Sequence, residues 1–486
     1  MDWGFYGRRN ELGKLHEILS RNRWFFAKVV GRRRIGKTTL IQEALRASSK
    51  KGVLYVQIPD SGPAGVLSAV DDAFDTFKIP PEVCGRPHSL PELARAVGTL
   101  AQAGYVVALD EFQYFTRSHL AEFASFLQSE VDALNAKAAS VPGGLLVLGS
   151  IHAEIQALLE DKSAPLFNRT TDEILLTHFD IASVIEVLRH HANPEPSRLL
   201  SLWTLFEGVP KFYRDCYEQG VLGADRNELL RKMFFESSSP LRTEADNWFL
   251  KELKGRYDVV LKYVARHEGC SNGELEAHVR EISRETDHQV AGYLKILIER
   301  YRLIEKKLPV FAKPNARSGR YYVADNFLAA WLAALASNVS ALAFSRVAQL
   351  VENSAERLND VEGHAFEKLV AQLYEERSRK GLGDFSLSSR IHGYWDSANT
   401  ELDLVAVDED QKRIRFGDCK RSSDKLIANV ATFRGHVERF VSHLPKYKGW
   451  KLEYFGMAPD LGVEHRKVLA EKGVVAQDLN DLTADL

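Results

Sequence analysis

The sequence predicts an α/β protein whose first half is built on a parallel sheet, and three observations support this. Apolar runs recur at Phe25–Val30, Gly52–Gln57, Tyr105–Leu109 and Gly144–Gly149, the pattern of strands buried on both faces. Helical patterns separate them, as parallel connections require. A glycine-bounded loop, Gly31 to Thr38, joins the first run to a helix over Thr39–Ala47.

Gly31, Gly36, Lys37 and Thr38 fill G-x-x-x-x-G-K-[ST], the spacing of a phosphate-cradling loop. Consecutive backbone N–H groups curl around an anion, and the following helix N-terminus adds partial positive charge. Lys37 is expected to reach the β- and γ-phosphates of ATP, and Thr38 to ligate Mg²⁺. Arg34 and Thr39, beside these positions, are counted with the nucleotide-binding residues. Arg32, Arg33 and Arg34 admit three readings: phosphate grip, a face toward a neighbouring subunit, or contact with DNA.

Size and composition bound the rest. A chain of 486 residues exceeds a single core and divides into two to four domains. Hydrophobic content of 45% and charged content of 27% are those of a globular protein. The net charge of −2 excludes a global basic field, so any nucleic-acid contact must be local. Cys84, Cys216, Cys270 and Cys419 show no paired spacing, which argues against a zinc site or disulfide framework. With no 18-residue apolar span and no signal-peptide core, no membrane association is expected and the expected compartment is the cytoplasm.

The run Tyr105–Glu111 ends in two acids, Asp110 and Glu111, at a strand's C-terminal end, where open α/β sheets bind ligands. Asp110 is expected to share the Mg²⁺ shell with Thr38, and Glu111 to polarise the attacking water. Acids here can also be plain helix caps; the loop upstream favours the catalytic pair.

Phe5, Gly7, Arg8, Glu11 and Leu12 form F-x-G-R-x-x-E-L ahead of the loop. This resembles the AAA+-related ATPases of the STAND and archaeal-ATPase type. The resemblance implies that Gly7 and Arg8 lie where the chain packs on adenine. It also implies that Ser150 senses the γ-phosphate, with His152 a poorer candidate. Arg169 would be an arginine finger, offered to a second copy in a homo-oligomer or brought to the nucleotide by a domain movement, the alternative being a surface arginine; Gly208-Val209-Pro210 would belong to a helical lid. The run Arg320–Leu328 with Trp331 resembles the Y-x-x-x-D-x-F-L-x-F-W ending of the same family, with Ala330 departing from it.

Three helical patterns between Tyr257 and Ile298 precede strands at Leu303–Val310 and Arg320–Ala324, the order of a winged helix. From Lys254 to Val323, 14 Lys and Arg face 9 Asp and Glu, a local excess of +5 that favours a phosphate-facing surface.

In the last third, Gly363 opens a predicted helix, Phe366–Tyr374, and strands at Glu401–Val407 and Ile414–Lys420 flank a turn, Asp408–Lys412. Glu367, Asp403, Asp418 and Lys420 resemble the E…D…(D/E)-x-K motif of the restriction-endonuclease-like fold. That resemblance implies Mg²⁺ on Asp403 and Asp418, Lys420 orienting a water, and Glu367 completing the outer shell. Aspartate at 418, where glutamate is commoner, is one methylene shorter. The alternative is a hairpin of solvated charges.

The expected architecture is a P-loop ATPase core (1–178), a helical lid (179–250), a winged helix (251–335) and a restriction-endonuclease-like α/β domain (336–486). The expected function is an ATP-controlled, Mg²⁺-dependent nuclease on DNA, mobile or invading DNA included. Two alternatives stand beside it: a STAND-type switch with an inert C-terminal domain, and a winged-helix DNA-binding regulator.

Overall fold

The computed structural model describes residues 2–48, 50–150, 152–245, 257–283, 287–314 and 316–486. The expected boundary at 250 lies outside the described residues, as does the side chain of His152. The chain forms two compact units: Gly7–His178 with Val209–Lys211, and Met1–Tyr6, Phe179–Gly208 and Phe212–Leu486.

The first unit carries five parallel strands: β1 (Phe25–Gly31), β2 (Gly52–Gln57), β3 (Tyr105–Asp110), β4 (Gly144–Gly149) and β5 (Asp172–Leu176). Their spatial order is β2-β3-β4-β1-β5. Every position of β3 and β4 is buried, which explains their unbroken apolar sequence. Lys28 is the polar exception in β1; Glu160 at 2.6 Å and Glu173 at 3.2 Å neutralise it. The helices Leu90–Gln102 and Glu122–Ala136 contribute Leu93, Val97, Phe123 and Leu127 to the core on one face of the sheet. Ser89 begins the first of these by accepting from the backbone N–H of Glu92. The order sets β4 between β1 and β3, so three C-terminal strand ends meet at one edge: the loop after β1, Asp110 of β3 and Ser150 after β4.

The second unit contains the helices Ile181–His191, Pro196–Phe206 and Arg226–Leu230. Helices Tyr257–Arg266, Asn272–Ser283 and Asp287–Lys295 follow, with β6 (Cys270–Ser271), β7 (Ile304–Lys307) and β8 (Arg320–Val323). These strands form an antiparallel sheet in the order β6-β8-β7. The expected helices and hairpin are present; β6, only two residues long, carried no sequence signal. Phe327, Leu328, Ala330 and Trp331 are all buried, so the aromatic segment after β8 is core.

A mixed sheet closes the chain: β9 (His392–Trp395), β10 (Glu401–Asp408), β11 (Arg413–Cys419), β12 (Lys451–Met457) and β13 (Val475–Gln477), in the order β13-β12-β11-β10-β9. The β10–β11 hairpin is antiparallel, with Leu404 opposite Gly417, whereas β12 joins β11 in parallel. The helix Ser423–His443 makes that crossover and packs Phe433, Val437 and Phe440 on the sheet. One expectation is corrected. Gly363 does not open a helix; it lies inside a 33-residue helix, Val347–Arg379. Open space surrounds Gly363, and neighbouring Glu362 is buried in ion pairs with Arg226 and Arg421, so tertiary packing overrides the glycine.

Candidate nucleotide site and C-terminal acidic site

The loop after β1 has the backbone that its spacing implies. Gly36 adopts φ 88° as it caps the Lys37–Arg46 helix, a conformation costly for a side chain. Gly31 is required by contact: a Cβ there would lie 2.6 Å from the Leu176 carbonyl oxygen. Arg34 also takes a left-handed φ, 66°. Lys37 is 7% exposed and folds over the loop, its Nζ donating to the carbonyls of Gly31 and Arg32, each at 2.9 Å. Burial pushes its ammonium down to about 8, opposed by Glu111 and Asp110. Thr39, in the first helical turn, is exposed.

Thr38 Oγ1 donates to Asp110 Oδ2 at 2.8 Å, bringing together the hydroxyl and carboxylate expected in one Mg²⁺ shell. Tyr55 OH donates to the same oxygen at 2.5 Å, and Asp110 Oδ1 accepts from the Glu111 N–H at 2.8 Å. A hydroxyl and a buried carboxylate at hydrogen-bond distance fit a hard, oxygen-seeking cation.

Glu111 turns out of β3 with φ 55°. Its Oε2 accepts from Ser150 Oγ at 2.8 Å and from Gln113 Nε2. Gln113 also donates to Ser150 Oγ at 3.1 Å and accepts from the Ser150 N–H at 3.3 Å. Ser150, expected near the γ-phosphate, therefore joins the acid after β3 both directly and through Gln113. That glutamine was missed by sequence reading. Its one available signal was a polar residue amid Phe112, Tyr114 and Phe115.

Arg8 is 8% exposed, and its Nη2 donates to the carbonyls of Ile35 at 3.1 Å and Thr177 at 2.6 Å. It thus braces the loop one residue before Gly36 against the end of β5. Gly7 and Arg8 both have left-handed φ, 59°, as the chain turns into the Arg9–Ser20 helix. Arg169 makes a two-pronged pair with Asp132, at 2.7 and 3.0 Å.

In the C-terminal sheet, Asp403 lies on β10, and Asp418 and Lys420 lie at the end of β11. Lys420 Nζ is 2.9 Å from Asp403 Oδ2 and 2.7 Å from Asp418 Oδ1. Asp403 Oδ2 also accepts from the Cys419 N–H at 2.8 Å, and Asp418 Oδ2 from Asn429 Nδ2 at 2.9 Å. Burial, reinforced by Glu367, pushes the Asp403 carboxyl up to about 7 against the pull of Lys420. Burial disfavours the Lys420 charge, but Asp403 and Asp418 outweigh it and hold the ammonium well above the ordinary lysine range. Glu367, on the long helix, lines the same cleft as Asp403. Two converging carboxylates and a lysine suit an oxygen-ligated divalent cation with an adjacent ammonium. Asn429, missed in the sequence, fixes Asp418 from the crossover helix.

Comparison with known proteins follows this division. Residues 25–153 match the family described as AAA domain, and residues 331–430 match one described as archaea bacterial proteins of unknown function. The chain carries an AAA-type ATPase domain. The second match contains Glu367, Asp403, Asp418 and Lys420. Uncharacterized protein MJECL04 of Methanocaldococcus jannaschii is 24% identical over 421 residues, covering 86% of this chain and 87% of that protein. The Walker-type ATPase of Pyrococcus abyssi aligns with TM-score 0.51 at 18% identity, covering 68% of this chain and 96% of that one. At that identity the likeness establishes the fold. No helix among the described residues is long and apolar enough to cross a membrane.

Proposed function

We propose that the chain binds and hydrolyses ATP and acts on DNA, with nucleotide state controlling a Mg²⁺-dependent nuclease-like site in its C-terminal domain. The observation that carries the reading is the convergence of Asp403, Asp418 and Lys420 within hydrogen-bond distance. In it, 1–178 is the ATPase core, 179–250 a lid, 251–335 a winged helix and 336–486 a restriction-endonuclease-like domain. Lys37 and the loop N–H groups hold the phosphates, with Gly7 and Arg8 beside the base. Thr38 and Asp110 hold one Mg²⁺. Glu111, oriented by Gln113 and Ser150, accepts the proton of the attacking water. Arg169, released from Asp132, serves the site of a neighbouring copy.

Asp403 and Asp418 hold the second Mg²⁺, which supplies Lewis-acid stabilisation of a reacting phosphodiester. Lys420 would orient the water, and Glu367 would add a further carboxylate to the residues holding the cation.

The test is Mg²⁺-dependent cleavage of single- and double-stranded DNA by wild type, Lys420→Ala and Lys37→Ala. Cleavage lost in Lys420→Ala, and no longer ATP-responsive in Lys37→Ala, is the expected result. Wild type that nicks neither substrate with Mg²⁺ and ATP refutes the nuclease reading and leaves a signalling ATPase.

A further inference from the structure

The cleft in front of Asp403 has a second wall that the motif does not predict. It holds about 960 Å³, and β7, β8 and the loop between them line it together with Glu367 and Asp403. That wall is anchored to the C-terminal sheet at three points and to the turn before β12 at a fourth. The Val310 N–H donates to the Gly393 carbonyl at 2.8 Å, and Trp395 Nε1 to the Ser318 carbonyl at 2.7 Å. Arg320 pairs with Glu401 at 2.6 Å, and Phe311 stacks on Tyr447 with centroids 4.8 Å apart. A hairpin held this way is a fixed wall of the acidic site.

Its side chains suit a polyanion. Lys306, Lys307 and Arg390 line the cleft and have no ion-pair or hydrogen-bond partner among the described residues; Lys306 and Arg390 are exposed. Lys307 sits over the Tyr322 ring at 4.5 Å, and half-buried Tyr322 and Trp395 add aromatic surface to the lining. By contrast, two of the cations that follow the motif in sequence, Arg421 and Arg434, are occupied. Arg421 bonds Glu362 and Asn359, and Arg434 bonds the Lys472 and Gly473 carbonyls.

Two observations narrow the ligand. The cleft holds about 960 Å³ and is open to solvent, and the half-buried Tyr322 and Trp395 in its lining offer stacking faces to unpaired bases, which a duplex keeps paired and stacked. Carboxylates and the Lys and Arg cations line the cleft in equal number, Glu367 and Asp403 among the carboxylates. Those acids repel a phosphate until a divalent cation neutralises them.

We propose that the cleft between the β7–β8 hairpin and Asp403 is a binding channel for a single strand of nucleic acid, gripped at its phosphates by Lys306, Lys307 and Arg390. The aromatic rings give the bases sequence-tolerant contacts. The proposal rests on the reading of Asp403 and Asp418 as a cation site, and its test does not depend on cleavage.

Fluorescence anisotropy of a labelled mixed-sequence oligodeoxynucleotide, with the full chain and Ca²⁺, reads binding directly. The expected result is salt-dependent binding at least tenfold tighter for the single strand than for its duplex. Lys306→Ala/Lys307→Ala should weaken it at least tenfold and lower the salt slope by about 1.4, two contacts at about 0.7 each. An unchanged thermal unfolding midpoint checks folding, and Arg390→Ala supplies an independent variant. An RNA strand of the same sequence, bound more or less tightly than DNA, also supports the channel and identifies its preferred strand. Duplex binding as tight as single-strand binding, or affinity unaltered in both variants, overturns it. Tight, lysine-dependent binding without any cleavage preserves the channel and refutes only the nuclease reading.

Discussion

Replacing Gln113 with leucine tests whether the β3 acid is positioned by β4. Gln113 is 1% exposed and bonds Glu111, Ser150 Oγ and the Ser150 N–H. Leucine keeps the volume and removes all three bonds. Ser150 Oγ still donates to Glu111 at 2.8 Å, so the carboxylate keeps one of its two side-chain donors. Losing a bond to a charged group while leaving a half-buried N–H unmet should cost about 2–3 kcal/mol in denaturant unfolding. Turnover of ATP should fall about 10–100-fold, the range seen when a group orienting a functional ligand is removed. Nucleotide affinity should stay at wild type, because no Gln113 side-chain bond reaches Gly36, Lys37 or Thr38. Equilibrium binding of a fluorescent ATP analogue and steady-state phosphate release separate the two effects. Glu111→Gln sets the floor, with a loss of about 100-fold or more. A folded Gln113→Leu with undiminished turnover would refute the positioning role, and a parallel loss of affinity would mean that the loop itself had been disturbed.

Gly31→Ala places a methyl 2.6 Å from the Leu176 carbonyl oxygen; it should cost about 1–3 kcal/mol and weaken ATP binding, and isothermal titration with unchanged affinity contradicts the close approach. Arg169→Ala breaks a pair with Asp132 whose side chains are 23% and 48% exposed, so stability should move by less than about 1 kcal/mol. Its ATP turnover should nevertheless drop about a thousandfold, with wild-type turnover rising with protein concentration; concentration-independent, unaltered turnover excludes the finger. Glu453→Gln removes a carboxylate at 2.8 and 2.9 Å from Arg413 and Arg415, but Asp384 stays 2.7 Å from Arg415, so the C-terminal sheet should be destabilised by about 2 kcal/mol. Burial pushes the Glu453 carboxyl up, but Lys451, Arg413 and Arg415 outweigh it and hold it below the ordinary value. Its contribution is therefore present above about pH 4.3 and lost as pH falls through the lowered value, so wild type and variant should converge in acid denaturation.

Much of the nucleotide site was legible because its signals are local. The G-x-x-x-x-G-K-T spacing dictates a strand–loop–helix turn, and two acids ending an apolar run mark a strand end. Asp403, Asp418 and Lys420 were singled out by their resemblance to a motif, and the antiparallel β10–β11 register is what brings them together. Tertiary structure decided whatever depended on distant partners. Gln113 meets Ser150 only because β4 lies beside β3, and Arg8 meets Thr177 only because β5 lies beside β1. The helix through Gly363 was misread because a glycine's local cost is about 1 kcal/mol, which buried contacts on both sides exceed. In the sequence, Lys306 and Lys307 entered only the local excess of +5 between Lys254 and Val323. Their place in one cleft with Asp403 follows from hairpin contacts with Gly393, Trp395 and Glu401, residues some 80 positions away that no periodicity connects.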